Sequence, residues 1–468
     1  MKGKILIANR GEIALRIMHA CQDLGLDYVV VYTAADEDSE HVQLNRDRTG
    51  SRKKAWQITS YTDPNDILAV ADHTDCTAIH PGYGFFSEDF RFARRVTVRD
   101  RPLTFIGPNW QVIKNLGDKI NTKRVAKQLS IPVIPGTDSP IYNEMEAEEI
   151  ADQLLDDQQA QNIKNPSILV KAAAGGGGMG IEEVNQIEQF RRVYRQVQNY
   201  AKRQFGDAGV LIEQCLRDYN HIEVQLLCSR HGERLHFGTR NCTIQSTGRQ
   251  KRVEAAPGFD DSCFIYDFDS TEVLEKIVQY SLRLASHVRY DNVGTWEWIV
   301  AQNGQPYLLE VNTRIQVEND ISARISYING QHPNLIKEQI RLALGDRIGY
   351  TQDDIDIKGA SIELRIVAED TTRGFAPWIG TIDTFKFPEY DWSAVYTHVP
   401  FDRPYMIPSD FDPNLALAVI WGDSIQEAKE RASKFLRETV IDGKNSKGEP
   451  ILTNMDYLHN NLDRLLTF

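Results

Sequence analysis

The sequence predicts a mixed α/β and α+β protein with an N-terminal parallel sheet, a small middle segment and a C-terminal part rich in strands. Three observations support this prediction. Short apolar runs alternate with segments of helical period near the N-terminus, four consecutive glycines lie inside a small α+β middle segment, and strand-like runs dominate after position 221. The 468 residues suffice for two or three domains.

The composition is typical of a soluble globular protein, with 41% hydrophobic and 25% charged residues. The formal net charge of -13 argues against nucleic acid as the main partner, since phosphate binding needs a concentrated basic surface. Six cysteines are scattered without a CxxC pair, which predicts free thiols in a reducing compartment. Neither a signal peptide nor a membrane-spanning apolar run is visible, so we expect a cytoplasmic protein without a membrane partner.

The N-terminal stretch predicts a βαβ unit. "KILIANR" and "YVVVYT" are apolar runs rich in β-forming residues, and "GEIALRIMHACQDLG" between them has helical spacing closed by glycine. "AIHPGYGFFSED" repeats the sequence of strand end, turn and helix. The first turn, "ANRGE", lacks the glycine fingerprint of dinucleotide folds, which disfavours a nicotinamide oxidoreductase.

A domain boundary is predicted near "WQVIKNLGDKINTKRVAKQL" and the proline-punctuated "SIPVIPGTDSPI". In the segment that follows, "SILVKAAAGGGGMGI" reads as a strand ending at Lys171 and then a glycine run. Backbone N–H groups of such a run can close over phosphates while the lysine supplies charge. A glycine run alone is also typical of a flexible linker, but its place between two strand-like segments favours a mobile flap.

A hairpin is predicted in "TWEWIVAQNGQPYLLEVNT", with a two-residue turn at positions 303–304. This register places Glu297 opposite Glu310, and two carboxylates directly across a ladder are destabilising unless a cation lies between them. With the Asn312 amide beside them, these oxygen ligands suit Mg²⁺ or Mn²⁺. A solvated sheet face or a slipped register is the alternative that the hairpin alone leaves open.

The stretch "LEVNTRIQVEND", residues 309–320, predicts a strand with one polar face. Its polar side chains occupy every second position: Glu310, Asn312, Arg314, Gln316 and Glu318. "HIEVQLL" alternates in the same way from His221, and the loop "RNCTIQSTGRQKRVEAAPG" adds cations in an otherwise acidic chain. Taken singly, that loop and Lys119 in "NLGDKINTKR" are equally typical of solvated surface.

Together these motifs resemble the biotin carboxylase family of the ATP-grasp superfamily. The resemblance rests on "KILIANRGEIALRI", "AIHPGYGFFSED", "FIGP", "GDK", "VKAAAGGGGMGI", "IEQCL", "HIEVQ", "GTWEW", "LLEVNTRIQVE", "LIKEQIRLA" and "IELRIVAED". It extends from residue 4 to about residue 370 and is fainter beyond. It implies the three-part ATP-grasp biotin carboxylase architecture: a Rossmann-like parallel sheet domain, a small mobile lid and a C-terminal, mainly antiparallel sheet domain.

The resemblance also implies five segments with different tasks. These are an N-terminal domain at 1–114, a connecting helix and linker at 115–143, a lid at 144–217, an ATP-grasp catalytic core at 218–345 and a C-terminal domain at 346–468. The implied activity is ATP- and bicarbonate-dependent carboxylation of biotin on a separate carrier protein, in the biotin carboxylase subunit of a multi-subunit, acetyl-CoA type carboxylase of fatty acid biosynthesis. The implied partners are a biotin carboxyl carrier protein, a second copy of the chain in a homodimer, and a carboxyltransferase subunit.

Site residues follow from the resemblance position by position. Metal ligands are implied at Glu297, Glu310 and Asn312, and bicarbonate contacts at Arg314, Gln316, Val317 and Lys251. Glu318 matches the base that deprotonates bicarbonate, with Arg314, Lys251 and Arg365 as the other catalytic residues. ATP contacts are implied at Lys119, Lys171, Gly175, Gly176, Gly177, Gly178, Glu213, Leu216, His221, Gln245 and Arg249, and biotin contacts at Tyr83 and Arg365.

Several positions depart from the family pattern. Asn319 and Asp320 stand where His-Pro is usual, and extra residues follow in "RISYINGQHPN". Arg249 replaces a histidine in a loop one residue longer, Met179 an arginine, and Leu417 a lysine. The sequence also has no Met-Lys-Met biotinylation motif, so we expect biotin on a separate carrier. These departures leave two alternatives: an ATP-grasp ligase for another carboxylate, or a non-catalytic nucleotide-binding paralogue.

Overall fold

The computed structural model describes residues 3–45, 54–161, 163–173, 180–246, 250–260 and 267–466. The chain forms two compact units. The first comprises Met1–Gly117, Asn220–Glu297 and Glu310–Phe468, and the second Asp118–Tyr219 and Trp298–Leu309. The predicted site residues Gly175–Gly178 and Arg249, with Met179 and Cys263, lie outside the described residues. Across the described ranges, every helix is too short or too polar to cross a membrane.

The first unit opens with a five-stranded parallel sheet of order β3-β2-β1-β4-β5. Its strands are β1 Lys4–Ile7, β2 Asp27–Tyr32, β3 Ala55–Gln57, β4 Ala78–His80 and β5 Thr104–Phe105. Its helices are α1 Gly11–Asp23, α2 Glu40–Gln43, α3 Pro64–His73, α4 Phe90–Thr97 and α5 Trp110–Gly117. Helix α1 joins the parallel strands β1 and β2, so the predicted βαβ unit is confirmed.

The second unit packs three helices against a three-stranded antiparallel sheet of order β7-β6-β8. Its helices are α6 Lys119–Gln128, α7 Glu144–Ala160 and α8 Phe190–Phe205, and its strands are β6 Ile168–Ala172, β7 Ile181–Val184 and β8 Val210–Gln214. Its core is apolar, with Val170 from the sheet and Tyr194 from α8 fully buried. Asp118 caps α6 by accepting from the backbone N–H groups of Ile120 and Asn121.

The remainder of the chain forms a large, mainly antiparallel sheet of order β15-β14-β9-β10-β13-β18-β24-β22, with short ribbons beside it. The strands are β9 Asn220–Cys228, β10 Arg234–Asn241, β11 Gln245–Ser246, β12 Gln250–Lys251, β13 Val253–Ala256, β14 Asn292–Val300, β15 Pro306–Asn312, β16 Ser326–Ile328, β17 Ile355–Ile357, β18 Ala360–Val367, β19 Glu369–Asp370, β20 Ala376–Pro377, β21 Thr381–Lys386, β22 Ser393–Tyr396, β23 Tyr405–Met406, β24 Asn414–Gly422 and β25 Val440–Lys444. The helices are α9 Ser270–His287, α10 Asn319–Arg324, α11 Leu335–Ala343, α12 Ile425–Glu438 and α13 Met455–Asn461.

Strand β14 is buried along its whole length, as expected for an inner strand. Trp296 and Trp298 point to one face and are fully buried, which leaves Glu297 on the opposite face. Glu297 is itself only 6% exposed, so its carboxylate needs partners within the fold. The five described cysteines, Cys21, Cys76, Cys215, Cys228 and Cys242, are free thiols, as predicted.

The turn between β14 and β15 differs from the prediction. The Ala301 N–H donates to the Gln305 carbonyl and the Gly304 N–H donates to the Ala301 carbonyl, so the loop holds three residues instead of two. Gly304 has φ +78°, the left-handed conformation that such three-residue loops require. The predicted register, with Glu297 directly opposite Glu310, therefore does not follow from this turn.

The polar stretch 309–320 is also not one strand. Strand β15 ends at Asn312, residues 313–318 are irregular, and α10 begins at Asn319. The alternation of polar residues thus spans two kinds of backbone. Asn312 on β15, and Gln316 and Glu318 in the irregular segment, are nevertheless all buried.

Candidate active site

A cluster of buried charged side chains occupies the first unit, next to the end of β15. It contains Glu223 from β9, Glu297 from β14 and Glu318 from the segment before α10. The ammonium of Lys251 on β12 lies at its centre, 2.9 Å from Glu318 and 3.5 Å from Glu297, and also contacts Glu223. Burial alone would lower the pKa of Lys251, but these three carboxylates hold it well above its usual value.

The Glu318 carboxylate is held between two cations. Its Oε1 lies 2.9 Å from Lys251 Nζ, and its Oε2 accepts a hydrogen bond of 2.9 Å from Arg365 Nη2. Burial would raise the pKa of Glu318, but the charges of Lys251, Arg365 and Arg240 keep it below its usual range. Glu318 is therefore ionised at neutral pH, which is the state that a proton acceptor needs.

The predicted metal ligands Glu297, Glu310 and Asn312 lie on β14 and β15. Asn312 Nδ2 donates to Glu297 Oε1 at 2.6 Å, and His221 Nε2 lies 3.0 Å from Glu297 Oε2. Glu310 stands two residues before Asn312 on β15, so the two side chains share one face of the strand. Ligand atoms of His221, Glu223 and Glu297 also lie within 4.8 Å of one another. Carboxylate and amide oxygens are ligands that Mg²⁺ and Mn²⁺ prefer, so the residue types present here fit such an ion.

Glu88 holds Arg314 through a contact that no motif in the sequence indicated. Its Oε2 lies 3.1 Å from Arg314 Nε, and its Oε1 accepts from the Thr313 N–H at 3.1 Å. Arg314 also donates to Asn312 Oδ1 at 3.1 Å. Burial would lower the pKa of Arg314, but Glu88 and Glu318 raise it, so the guanidinium keeps its charge as an anion site requires.

Arg240 is a second residue that the sequence did not reveal. Its side chain is fully buried, and it donates to Glu223 Oε2 from Nε at 2.9 Å and to Gln316 Oε1 from Nη2. Further acceptors are Gln225 Oε1 at 2.8 Å, Ser322 Oγ at 3.1 Å and Thr295 Oγ1 at 3.2 Å. Arg240 faces Glu223 directly across the β9–β10 ladder. Recognising that strand pairing, with its opposite charges, would have identified this residue.

Tyr83 and Arg365, the two predicted biotin contacts, are both held by carboxylates. The Tyr83 hydroxyl donates to Glu12, whose other oxygen lies 3.6 Å from Arg16. Burial and the Glu12 charge raise the pKa of Tyr83 well above its usual value, so it stays neutral. Arg365 contacts Glu318 together with two further buried glutamates.

Asn319, a departure from the family pattern, braces the segment before α10. Its Nδ2 donates to the carbonyl oxygens of Gln316 at 2.7 Å and Val317 at 3.3 Å, and its Oδ1 accepts from Arg16 at 3.0 Å. Asp320 beside it is held by Arg324 and the Tyr396 hydroxyl. A third departure, Leu417, is buried directly opposite Arg365 in the β18–β24 ladder.

Replacing Asn319 by Ala should lower the free energy of unfolding by about 1–3 kcal/mol, because the Gln316 carbonyl and Arg16 lose a buried partner. Urea titration measures this loss. Asn199→Ala, at an exposed position of α8, is the matched control and should change stability by less than about 0.5 kcal/mol. Equal effects of the two substitutions would show that Asn319 does not brace the segment.

The predicted ATP contacts are divided between the units. In the second unit, Glu213 on β8 pairs with Lys171 on β6 at 2.6 Å and with Lys123 at 3.2 Å. Lys123 was not among the predicted residues. Of the predicted residues, Lys119 is the first residue of α6 and Leu216 follows β8. In the first unit, Gln245 Nε2 lies 3.2 Å from His221 Nδ1.

Three family models match the chain. The N-terminal domain of biotin carboxylase matches residues 1–113, the ATP-binding domain of the carbamoyl-phosphate synthase L chain matches 118–351, and the C-terminal domain of biotin carboxylase matches 363–463. The matched ranges together cover most of the chain.

Curated relatives and solved structures agree with these matches. The chain is 36% identical over 440 residues to a biotin carboxylase of Nostoc sp., covering 94% of this chain and 92% of the relative. It is 37% identical over 443 residues to a pyruvate carboxylase component of Methanothermobacter thermautotrophicus, covering 95% and 84%.

A solved structure shows the same likeness in three dimensions. The dimeric biotin carboxylase domain of Hydrogenobacter thermophilus 2-oxoglutarate carboxylase, in complex with MgADP, ADP and bicarbonate, matches with a TM-score of 0.84 at 34% identity, covering 98% of this chain and 93% of that one. The fold is therefore that of ATP-grasp biotin carboxylases. The chain belongs to the biotin carboxylase family, the ATP-dependent ligase component of biotin-dependent carboxylases.

Proposed function

We propose that this chain uses ATP and bicarbonate to carboxylate biotin carried on a separate protein, through a carboxyphosphate intermediate. The observation that carries the proposal is the Glu318 carboxylate, buried and ionised between Lys251 and Arg365. Glu318 can thereby face a bicarbonate anion on the side of Lys251 and a second substrate on the side of Arg365. The bicarbonate in the related 2-oxoglutarate carboxylase domain supports the choice of anion.

The first step is the activation of bicarbonate. Arg314, Lys251, Gln316 and the Val317 backbone would bind the anion, and Glu318 would accept its proton. Arg314 is held for this task by Glu88, and Gln316 by Arg240. Removing the proton turns a poor nucleophile into one that can attack the γ-phosphoryl group of ATP.

Phosphoryl transfer requires charge neutralisation around the nucleotide. Lys251 would offset charge near the transferred group. Glu297, Glu310 and Asn312 would hold Mg²⁺ or Mn²⁺, which supplies further neutralisation when bound. We assign the remaining nucleotide contacts to Lys119, Lys171, Gly175–Gly178, Glu213, Leu216, His221, Gln245 and Arg249.

The second half-reaction places biotin at Arg365. Carboxyphosphate breaks down to CO₂ and phosphate, the phosphate accepts the proton of the biotin ureido nitrogen, and the resulting enolate attacks CO₂. The Arg365 guanidinium would stabilise the enolate, with Tyr83 close to the same substrate. Exclusion of water protects the intermediate from hydrolysis, the task we assign to the lid at 144–217.

For the assembly, we propose a homodimer that works with a separate carrier protein and a carboxyltransferase. The dimer of the related 2-oxoglutarate carboxylase domain supports the homodimer. For the final acceptor we propose acetyl-CoA. Pyruvate and 2-oxoglutarate are the alternatives, since relatives are named as subunits of those carboxylases.

We also retain, as a proposal, the division of the chain into five segments that end at residues 114, 143, 217, 345 and 468.

The test is ADP release by the purified chain with Mg²⁺ and ATP, with and without bicarbonate, and with and without free biotin. We expect release that requires bicarbonate, rises with biotin and stops when the metal is chelated. Release without bicarbonate would instead support an ATP-grasp ligase for another carboxylate. Nucleotide binding without turnover under any of these conditions would contradict the proposal in favour of a non-catalytic paralogue.

A further inference from the structure

Two fully buried glutamates face each other across the large sheet. Glu254 on β13 is directly opposite Glu363 on β18, and their exposed fractions are 0% and 1%. Like charges at directly opposed positions repel each other, and burial makes the repulsion costly because water does not screen it. Neither residue belongs to the ligands and catalytic groups assigned above.

One guanidinium serves this pair and Glu318 together. Arg365 Nη2 lies 2.6 Å from Glu254 Oε1 and 2.9 Å from Glu318 Oε2, and Arg365 Nε lies 3.3 Å from Glu363 Oε1. Both oxygens of Glu254, and Oε1 of Glu363, receive no well-directed hydrogen bond from any described residue. A single positive charge cannot stabilise three buried carboxylates, so one of them has to carry a proton.

The surrounding charges do not remove this requirement. The other ionisable groups that face the pair come from α1, β9, the end of β10, β12 and the segment before α10: Glu12, Arg16, Glu223, Cys242, Lys251 and Glu318. Lys251 is already shared by Glu223, Glu297 and Glu318. Burial raises the pKa of Glu254 to about 7, and burial together with the Glu254 charge raises that of Glu363 well above its usual value.

We propose that Glu254 and Glu363 retain one proton between them and act as positioning residues that hold Arg365 for the biotin enolate. This inference rests on the proposed function. A pair that keeps one proton carries one negative charge instead of two. It can then hold Nε and Nη2 of Arg365 without an excess of negative charge against the guanidinium. Nη1 makes no hydrogen bond or ion pair with any residue that the structure describes, and it is the donor left for a developing negative charge.

The first test needs no substrate. Groups whose pKa is raised in the folded state stabilise the protein least at high pH, because folding then opposes their ionisation. Gln imitates the protonated carboxyl, so Glu363→Gln should match the wild type near pH 5 and exceed its Tm increasingly as the pH rises through about 7. Glu369→Gln is the matched control: it removes a carboxylate of similar burial that Arg252 holds at 2.9 and 2.7 Å, and should lower Tm.

The second test is the pH profile of kcat/KM for free biotin. In the wild type, ionisation of the pair should lower kcat/KM as the pH rises above about 7, and Glu363→Gln should remove this decline because Gln cannot ionise. The double variant Glu254→Gln/Glu363→Gln removes the last negative charge, so its KM for biotin should rise about tenfold over that of the single variant, with a smaller change in kcat.

The outcomes separate the two proposals. If the wild type shows no bicarbonate-dependent turnover, the proposed function fails while the Tm measurement still decides whether a proton is shared. If turnover is normal but Glu363→Gln follows the wild type in both Tm and kcat/KM at every pH, the shared proton is refuted. A raised Tm at high pH with an unchanged biotin profile and an unchanged double-variant KM would refute the positioning of Arg365.

Discussion

Replacing Glu318 by Gln should lower bicarbonate-dependent ADP release about a thousandfold, within the range by which general bases accelerate reactions. The amide cannot accept the bicarbonate proton, whereas Glu318 is kept ionised by Lys251 and Arg365. Steady-state ADP release at saturating ATP and bicarbonate measures the effect. The affinity for ATP, measured by calorimetry, should change less than about threefold, because we assign Glu318 no contact with the nucleotide.

The control is Glu338→Gln on α11, a partly buried glutamate that pairs with Arg341 at 2.8 Å in its own helix. It should retain nearly the full rate. Glu318→Asp separates position from chemistry: it keeps the base but withdraws it by one methylene, and an intermediate rate is expected. If Glu318→Gln retained more than about a tenth of the wild-type rate, another group would have to act as the base.

The sequence predicted the local parts of this site well. The alternation of polar residues from Glu310 to Glu318 includes Glu318, which contacts Lys251, and Asn312 and Gln316, which contact Glu297, although only the part up to Asn312 is strand. The pattern is informative because the irregular segment between the strand and the helix is short, so its residues must lie close to one another. The hairpin was also placed correctly, but its turn holds an extra residue, since an Asn-Gly pair fits a three-residue loop as well as a two-residue one.

The residues that the sequence did not reveal depend on long-range pairing. Arg240 meets Glu223 only because β9 and β10 pair in one particular register, and Glu254 meets Glu363 across more than a hundred residues of chain. Such registers are fixed by the packing of the whole sheet. Glu88 reaches Arg314 from the turn after β4, another contact between distant segments.

Arg240→Met should have the largest effect on stability, a loss of about 3–5 kcal/mol in the free energy of unfolding. Methionine fills a similar volume but supplies none of the hydrogen bonds that Arg240 donates. Glu223 would lose its guanidinium partner and keep Lys251, at a depth in the fold where bulk solvent cannot compensate. Urea titration measures the loss. Arg347→Met is the control, since Arg347 is 67% exposed and lies 3.6 Å from its partner, so less than about 1 kcal/mol should be lost.

Two further variants show which property of Arg240 matters. Arg240→Lys keeps the charge but not the planar fork that contacts Glu223 and Gln316 together, so it should recover only part of the stability. Arg240→Met/Glu223→Gln removes the unpaired charge and should be more stable than Arg240→Met alone. If Arg240→Met lost less than about 1 kcal/mol, the carboxylates would already be compensated by Lys251. Gln316 would then need another explanation for its position, because Arg240 is the cation that orients its amide toward Glu297.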